Sequence, residues 1–290
     1  MQLDNTRIVI RERDFPDILD LSLRTLRFYI FPWATLSIIG ALPFALLNGW
    51  LLSLFEPTYR FTGSHVVAHA FNPALYIYRL TILTVWELPL AAAPLTRYFG
   101  HALFLDRPSS SRIARELRDS LPQLFIYQVL LRGLLILPAL IDWWAFFLML
   151  LWLVPFVYSP YLNEIILLER NPFSARPGRI TTSRRSNSLH AGSRSTLFSR
   201  FLVSMLFGVV MTCGLALSLW YIRGLLTHHW ERTGAVYTIG VPAAMWTVAA
   251  YFAVVRYLSY LDLRIRREGW EVELQVRAEA DRLAGLRAEV

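Results

Sequence analysis

The amino-acid sequence predicts an all-α polytopic membrane protein with six transmembrane helices. Three observations lead to this fold class: an apolar composition, six apolar stretches of membrane-spanning length, and basic residues concentrated in four segments. The chain has 290 residues, of which 55% are hydrophobic and only 17% are charged, whereas soluble domains carry about 25% charged residues. The ten tryptophans and thirteen tyrosines suit the headgroup level of a bilayer, where aromatic rings concentrate.

Six apolar stretches are long enough to cross the hydrocarbon core of a bilayer, which takes about 20 helical residues. They comprise residues 28–55, 75–95, 121–141, 145–168, 198–222 and 235–255. Only Asp142, Trp143 and Trp144 separate the third stretch from the fourth, and they predict a tight turn at a membrane interface. The first stretch exceeds the required length, which predicts a tilt or a bend at Pro43.

The segments outside these spans predict further helices. Residues 1–27 predict a cytosolic or interfacial amphipathic segment, in which Asp14 and Pro16 mark a helix start. Six residues recur at helical spacing on one face of this helix: Phe15, Ile18, Leu19, Ser22, Leu23 and Leu26. Residues 109–121 predict a second interfacial helix, and residues 258–290 predict an arginine-rich cytosolic helical tail. The charged start and the long first apolar run predict no cleavable signal peptide.

The arginines predict the orientation. All 29 basic residues are arginine, and 23 of them lie in the segments 1–27, 106–120, 169–200 and 256–290. Short cytosolic segments of membrane proteins carry an excess of positive charge. Alternation through six crossings places these four segments on one side. We therefore expect a multi-pass protein of the bacterial cytoplasmic (inner) membrane with both termini in the cytosol.

Spans two and four share a spacing of one tryptophan and two prolines. Trp86, Pro89 and Pro94 lie in span two, and Trp152 and Pro155 follow the same pattern in span four, with Pro160 completing it. Both spans are expected to run from outside to inside, so a duplication would be a parallel repeat. A true repeat and a coincidence remain the two alternatives.

Two opposite charges lie near the middle of neighbouring spans. Glu87 is 12 residues into span two and Arg132 is 12 residues into span three. A charge at that depth costs about 2.5–3.5 kcal/mol on insertion scales and faces the bundle interior or a wet cavity. The pair has two interpretations: a salt bridge that locks the two spans, which we favour, or a transport site. Glu164, nearer the cytosolic end, is expected to snorkel or to contact the N-terminal helix.

The arginine-rich segments indicate partners at the cytosolic face. Arg264, Arg266 and Arg267 follow span six and are predicted to hold anionic phospholipid headgroups at about 1 kcal/mol each. The loop of residues 174–200 is an alternative docking site for a soluble or membrane protein. A nucleic-acid partner is not expected, because membrane topology already explains the charge and no stacking aromatic residues are interleaved with it.

The sequence carries no pattern that favours catalysis. His65 and His69 have the spacing of a helical metal site, but no third ligand is evident and the first histidine is not followed by glutamate. His228 and His229 are adjacent, and Cys213 is a lone cysteine in an apolar stretch. No phosphate-binding loop, dinucleotide fingerprint or nucleophile elbow occurs. We expect no metal, no cofactor and no enzymatic activity.

Three stretches carry a resemblance: RDFPDILDLSLRTLRFYIFPWA, the pair NEIILLERNPFS and TTSRRSNSLHAG, and RYLSYLDLRIRREGWEVELQVRAEA. They resemble a bacterial family of uncharacterised six-helix membrane proteins related to the membrane domain of glycerophosphoryl diester phosphodiesterases. The resemblance implies an all-helical membrane module. In those phosphodiesterases the chemistry belongs to a separate soluble barrel domain with a His-Arg-Gly and Glu-Asn signature, which is not found in this sequence.

Two functions from different classes follow. The first is a non-enzymatic scaffold or accessory membrane module that organises partners or lipids at the cytosolic face. The alternative is a small transporter or channel that uses Glu87, Arg132 and the proline-broken spans. A membrane-embedded lipid enzyme is a third, weaker option. A dry and paired environment around Glu87 would favour the scaffold, whereas a polar and wet one would favour transport.

Overall fold

The protein was analysed as a computed structural model. The structure describes residues 11–55, 60–62, 65–67, 72–102, 109–130, 133, 140, 159–174, 179–230 and 236–269. Apart from one small ribbon of strands, the regular elements of these residues are helices, which confirms the all-α fold class.

The helices are labelled in chain order. They are α1 (Phe15–Phe28), α2 (Ile30–Phe55), α3 (Pro73–Ala91), α4 (Ala93–Ala102), α5 (Ser110–Leu124), α6 (Leu162–Glu169), α7 (Thr182–His190), α8 (Arg194–Thr227) and α9 (Val241–Glu268). A π-helical turn at Phe125–Leu130 extends α5, and another at Val236–Gly240 precedes α9. Strands β1 (Arg60–Thr62) and β2 (His65–Val67) pair antiparallel, with Phe61 opposite Val66.

Three helical segments among the described residues are long and apolar enough to cross a membrane: Ile30–Leu54, Arg194–Thr227 and Val236–Glu268. They contain or nearly match the predicted spans 28–55, 198–222 and 235–255. These apolar runs form long helices, and α2 does so although Pro43 lies in its middle. The described part of the structure therefore shows three candidate spans and not the six that the sequence predicts.

The second predicted span, 75–95, is not one continuous helix. Helix α3 ends at Ala91 and α4 begins at Ala93, with a turn at Ala92 between them. Pro89 and Pro94 each lack the N–H that a helix interior needs, so two carbonyl groups lose their normal helical partners. The amide of Asn163 on α6 donates to the carbonyl oxygen of Pro89 at 3.1 Å. The prolines therefore break this span, as their positions in the sequence predicted.

The third and fourth predicted spans, 121–141 and 145–168, lie for the most part outside the described residues. The same holds for the turn at residues 142–144 and for the tail after residue 269. The described start of span three is the end of α5 and its π-helical turn, and the described end of span four is α6.

Helix α9 is the packing centre of the described bundle and contacts α1, α2, α3, α4, α7 and α8. Its buried side chains Tyr251, Val254, Tyr257 and Leu258 form one hydrophobic cluster with Ile18 of α1 and with Leu95 and Phe99 of α4. The helix predicted in residues 1–27 is thus present, and its apolar face packs on α9. At the crossing of α2 and α3, a Cβ on Gly40 would overlap the carbonyl oxygen of Ala91, so only glycine permits this approach.

In contrast to α9, α8 contains a long apolar stretch in which no residue is buried in the described structure. Leu206 and Leu226 on this helix are 69% and 78% exposed. Such a surface is unfavourable in water and suits contact with lipid chains.

The predicted topology can be tested with single cysteines in a Cys213→Ala background. Leu226→Cys lies at the end of α8 that the arginine distribution assigns to the outside, and Ser188→Cys lies on α7 in an arginine-rich segment. Both side chains are exposed, so burial does not confound the comparison. We expect a membrane-impermeant maleimide to label position 226 in intact cells and position 188 only after lysis. Labelling of position 188 from outside would contradict the orientation.

Candidate functional site at the arginine-rich end

Ion pairs connect all four arginine-rich segments of the sequence. Arg170 binds Glu116, Arg185 binds Glu268, Arg200 binds Asp262, and Arg266 binds Glu12. We call this set of contacts the ionic layer; it comprises Glu116, Glu164, Glu169, Asp262, Glu268 and the arginines bound to them. The layer brings together residues far apart in the chain, as the predicted topology requires. The side of the membrane on which it lies stays a prediction.

Glu116 on α5 binds the side chains of three arginines and one histidine. One carboxylate oxygen lies 2.7 Å from Nε2 of His101 and 3.5 Å from Nε of Arg97, both on α4. The other lies 3.2 Å from Nε of Arg112 and also binds Arg170. The Glu116 side chain is only 8% exposed and that of Arg97 is 4% exposed. This one carboxylate therefore ties α4, α5 and the residue after α6 together.

The charge of Glu116 depends on these partners. Burial alone would raise the pKa of its carboxyl group, but hydrogen bonds from Arg170, His101 and Arg112 outweigh burial and hold the pKa at about 2. A carboxylate that accepts several charge-assisted hydrogen bonds stays ionised far into the acid range. Glu116 is consequently ionised at neutral pH, where it binds its partners and does not act as a proton donor.

Glu169 and Glu268 form a second cluster with Arg185 and Arg264. Arg185 donates to both oxygens of Glu169, at 2.6 and 2.9 Å, and also binds Glu268. Arg264 binds Glu268 at 2.7 Å, and the hydroxyl of Tyr260 donates to Glu169 at 2.7 Å. Burial opposes ionisation of Glu169, yet its hydrogen bonds from Arg185 and Tyr260 lower the pKa of the carboxyl group. The cluster joins α6, α7 and α9.

Asp262 on α9 forms the third cluster and is 2% exposed. It accepts hydrogen bonds from the backbone N–H of Arg13 at 2.9 Å, from Nη1 of Arg200 at 3.0 Å and from Nε of Arg266 at 3.1 Å. Arg266 also binds Glu12 at 2.8 Å. Through this carboxylate the segment that precedes α1 and the first turns of α8 attach to the end of α9.

Glu164 on α6 makes a bidentate ion pair with Arg256 on α9. The oxygens Oε1 and Oε2 lie 3.1 and 3.2 Å from Nε and Nη2 of Arg256. Arg256 also donates to the carbonyl oxygen of Pro160 at 2.7 Å. Planar guanidinium and carboxylate groups match in this geometry, which strengthens the pair. The polar contact predicted for Glu164 is present, but its partner is α9 and not the N-terminal helix.

The three arginines predicted to bind lipid headgroups already have partners within the protein. Arg264 binds Glu268, Arg266 binds Asp262 and Glu12, and Arg267 donates to Ser193 Oγ at 2.9 Å and to the carbonyl oxygen of Ala191. An arginine has five N–H donors, so a contact within the protein does not by itself exclude a lipid headgroup. Lipid binding by these residues stays a prediction.

Glu87 lies in the interior between α2 and α3. It is 6% exposed and accepts a hydrogen bond from the amide Nδ2 of Asn48 at 2.7 Å. Arg132 lies outside the described residues, so the predicted pair with Glu87 stays a prediction. Asn48 was not singled out from the sequence, although a buried amide in an otherwise apolar span is a signal that could have found it.

Other polar atoms are buried in the same part of the bundle. Gln128, Asn163 and Thr84 are 1%, 3% and 4% exposed. Among the described residues, neither amide atom of Gln128 nor the hydroxyl of Thr84 has a hydrogen-bond partner, and the same holds for Oδ1 of Asn163 and of Asn48. Buried polar groups without partners are costly and indicate water or a ligand nearby. This observation favours the transport alternative.

The histidines do not form a metal site in the described part of the chain, where no group of three potential ligands occurs. The side chains of His65 and His69 lie outside the described residues, and His228 and His229 are exposed. His190, which the sequence did not single out, is fully buried. Its Nδ1 lies 2.6 Å from the carbonyl oxygen of Ser186, and its ring stacks on Tyr161. Burial lowers the pKa of His190, so it is a neutral packing residue.

Comparison of the chain with protein-family models, with curated proteins and with solved structures found no match.

Proposed function

We propose that this protein is a non-enzymatic membrane module, a scaffold or accessory subunit that presents a rigid surface to partners or anionic lipids. The ionic layer is the observation that supports the proposal. It joins the segment before α1 and the helices α5, α6, α7, α8 and α9 through carboxylates that are at most 22% exposed, apart from Glu12. Buried and multiply bonded charge pairs favour one arrangement of the helices over others.

The charges in this layer suit a structural role. The pKa values of Glu116 and Glu169 are lowered by their cationic partners, whereas a general acid or base needs a pKa near the working pH. The exposed faces of α5 and α7 carry Arg115, Arg118, Arg184 and Ser188. An ordered platform with exposed cationic residues is suited to docking an acidic protein surface or a headgroup layer.

The proposal can be tested by cross-linking in native membranes. A photoreactive amino acid is placed at exposed Ser188 on α7 and, as the matched control, at exposed Leu226 at the far end of α8. We expect Ser188 to yield a discrete protein adduct of constant mass, identified by mass spectrometry, and Leu226 to yield none. Adducts of many different masses, in equal amounts at both positions, would contradict a specific docking surface on α7.

A small transporter or channel is the second candidate, favoured by Glu87 and by the buried polar atoms of Gln128 and Thr84, which have no hydrogen-bond partner among the described residues. The test is ion and proton flux into liposomes that contain the purified protein. Glu87→Gln keeps the shape of the side chain and removes its charge. A flux that disappears in this variant while its melting temperature is unchanged would support transport.

A further inference from the structure

A crevice of about 460 Å³ opens between α5 and the residue that follows α6. Among the described residues, those that line it are charged: Arg112, Arg115, Glu116, Asp119 and Arg170. The volume lies within the range of small-ligand sites. The charged groups of these side chains suit a small ion or a polar headgroup.

The charges of the crevice do not cancel. Three arginines face two carboxylates, and Glu116 is also bound from the protein interior by Arg97 and His101. Asp119 lies 3.8 Å from Arg118, a residue that does not line the crevice. Arg115 binds no carboxylate within the described part of the chain. Among the described lining residues, positive charge is therefore in excess.

The backbone at Arg170 is held in an unusual conformation. Its φ angle is 53° and its ψ angle is 41°, the left-handed region in which a helix normally ends with glycine. A non-glycine residue adopts this conformation only at an energetic cost. The conformation ends α6 and allows the guanidinium of Arg170 to reach Glu116 at the crevice.

We propose that the crevice of Arg112, Arg115 and Arg170 is a binding site for a phosphate group. Guanidinium groups match phosphate oxygens in pairs, and arginine is the preferred residue where this geometry is needed. The phosphate belongs either to the headgroup of an anionic phospholipid or to a soluble phosphate ester. The site is separate from Arg264, Arg266 and Arg267, and it does not depend on the proposed scaffold function.

The test compares two arginines of α5, one that lines the crevice and one that lies outside it. Arg115→Gln removes a crevice cation, and Arg118→Gln removes an exposed cation that lies outside the crevice. Neither residue is buried, so both variants should fold, which circular dichroism verifies. Native mass spectrometry of the detergent-solubilised protein gives the apparent dissociation constant of phosphatidylglycerol. Each titration is repeated with an excess of inorganic phosphate as competitor.

A cation near an anionic headgroup contributes about 1 kcal/mol, which corresponds to about fivefold in the dissociation constant. We expect about fivefold weaker phosphatidylglycerol binding in Arg115→Gln and unchanged binding in Arg118→Gln. If inorganic phosphate does not compete, the ligand is the lipid headgroup; if it competes in the wild type and not in Arg115→Gln, the site takes free phosphate. Equal effects of the two substitutions, or no effect of either, would overturn the proposal.

Discussion

Glu116→Gln should lower the stability of the protein more than any other single substitution in the ionic layer. The neutral amide leaves Arg97 in the interior without its counter-charge, because the Arg97 side chain is only 4% exposed. Breaking a buried ion pair by removing one partner costs about 3–5 kcal/mol. The side chains of Arg112 and Arg170 are 61% and 52% exposed. Water can solvate them in the variant, so they add little to its loss of stability. We therefore expect a loss of about 3 kcal/mol in the free energy of unfolding.

Asp119→Asn is the matched control, since it makes the same chemical change on the same helix. Asp119 is 67% exposed and its pair with Arg118 is long, at 3.8 Å. Exposed ion pairs contribute little to stability. Both variants are compared by chemical unfolding in bicelles. An effect of Glu116→Gln no larger than that of Asp119→Asn would show that the Glu116 cluster does not hold the helices together.

The same cluster predicts the acid dependence of stability. The pKa of Glu116 is lowered from 4.5 to about 2 in the folded protein. A lowered pKa means that the stabilisation is complete above about pH 4.5 and is lost as the pH falls toward 2. We expect the wild type to lose stability across this window faster than Glu116→Gln, which has no group to protonate there.

Substitutions in the pair of Glu164 and Arg256 should show the second-largest effect on stability. A double-mutant cycle measures it. Glu164 is 2% exposed in its side chain and Arg256 is 23% exposed. Glu164→Gln should cost about 2–4 kcal/mol, because it leaves the guanidinium partly buried without its partner. Arg256→Met should cost a similar amount. The double variant should recover much of the loss, since no charge is left unpaired, giving a coupling energy of about 1–3 kcal/mol.

The control cycle uses Asp20 and Arg24 on α1. Their ion pair has a shorter distance, 2.8 Å, but both side chains are more than half exposed. A surface pair four residues apart on a helix contributes about 0.3–0.5 kcal/mol. Coupling in the Glu164 cycle that is no larger than in this control would mean that α6 and α9 are not joined by the pair.

Much of the fold could be predicted from composition and periodicity. The apolar runs of residues 28–55, 198–222 and 235–255 correspond to α2, α8 and α9, because such runs have no stable alternative to a helix in an apolar environment. The two prolines of span two, Pro89 and Pro94, predicted that this span is broken, and the break lies at Ala92. Hydropathy alone does not carry this signal, because it treats proline as one more member of an apolar stretch.

Less of the candidate site could be predicted. The arginine distribution indicated that four segments gather at one end, and the ionic layer joins them. It could not indicate that Glu164 binds Arg256, 92 residues away, because any of several arginines would satisfy the same rule. Nor could it show that Arg97 is buried beneath Glu116. Such partners depend on how helices pack, and single-residue patterns carry no information about this.

Cross-linking at Ser188 in two variants tests the scaffold account most directly. Glu87→Gln alters the bundle interior, and Asp262→Asn removes the carboxylate that fastens Arg13, Arg200 and Arg266 to α9. The account predicts that the wild type and Glu87→Gln yield the same adduct, and that a monodisperse Asp262→Asn protein loses it. Loss of the adduct in Glu87→Gln with retention in Asp262→Asn would contradict the account and place function in the bundle interior.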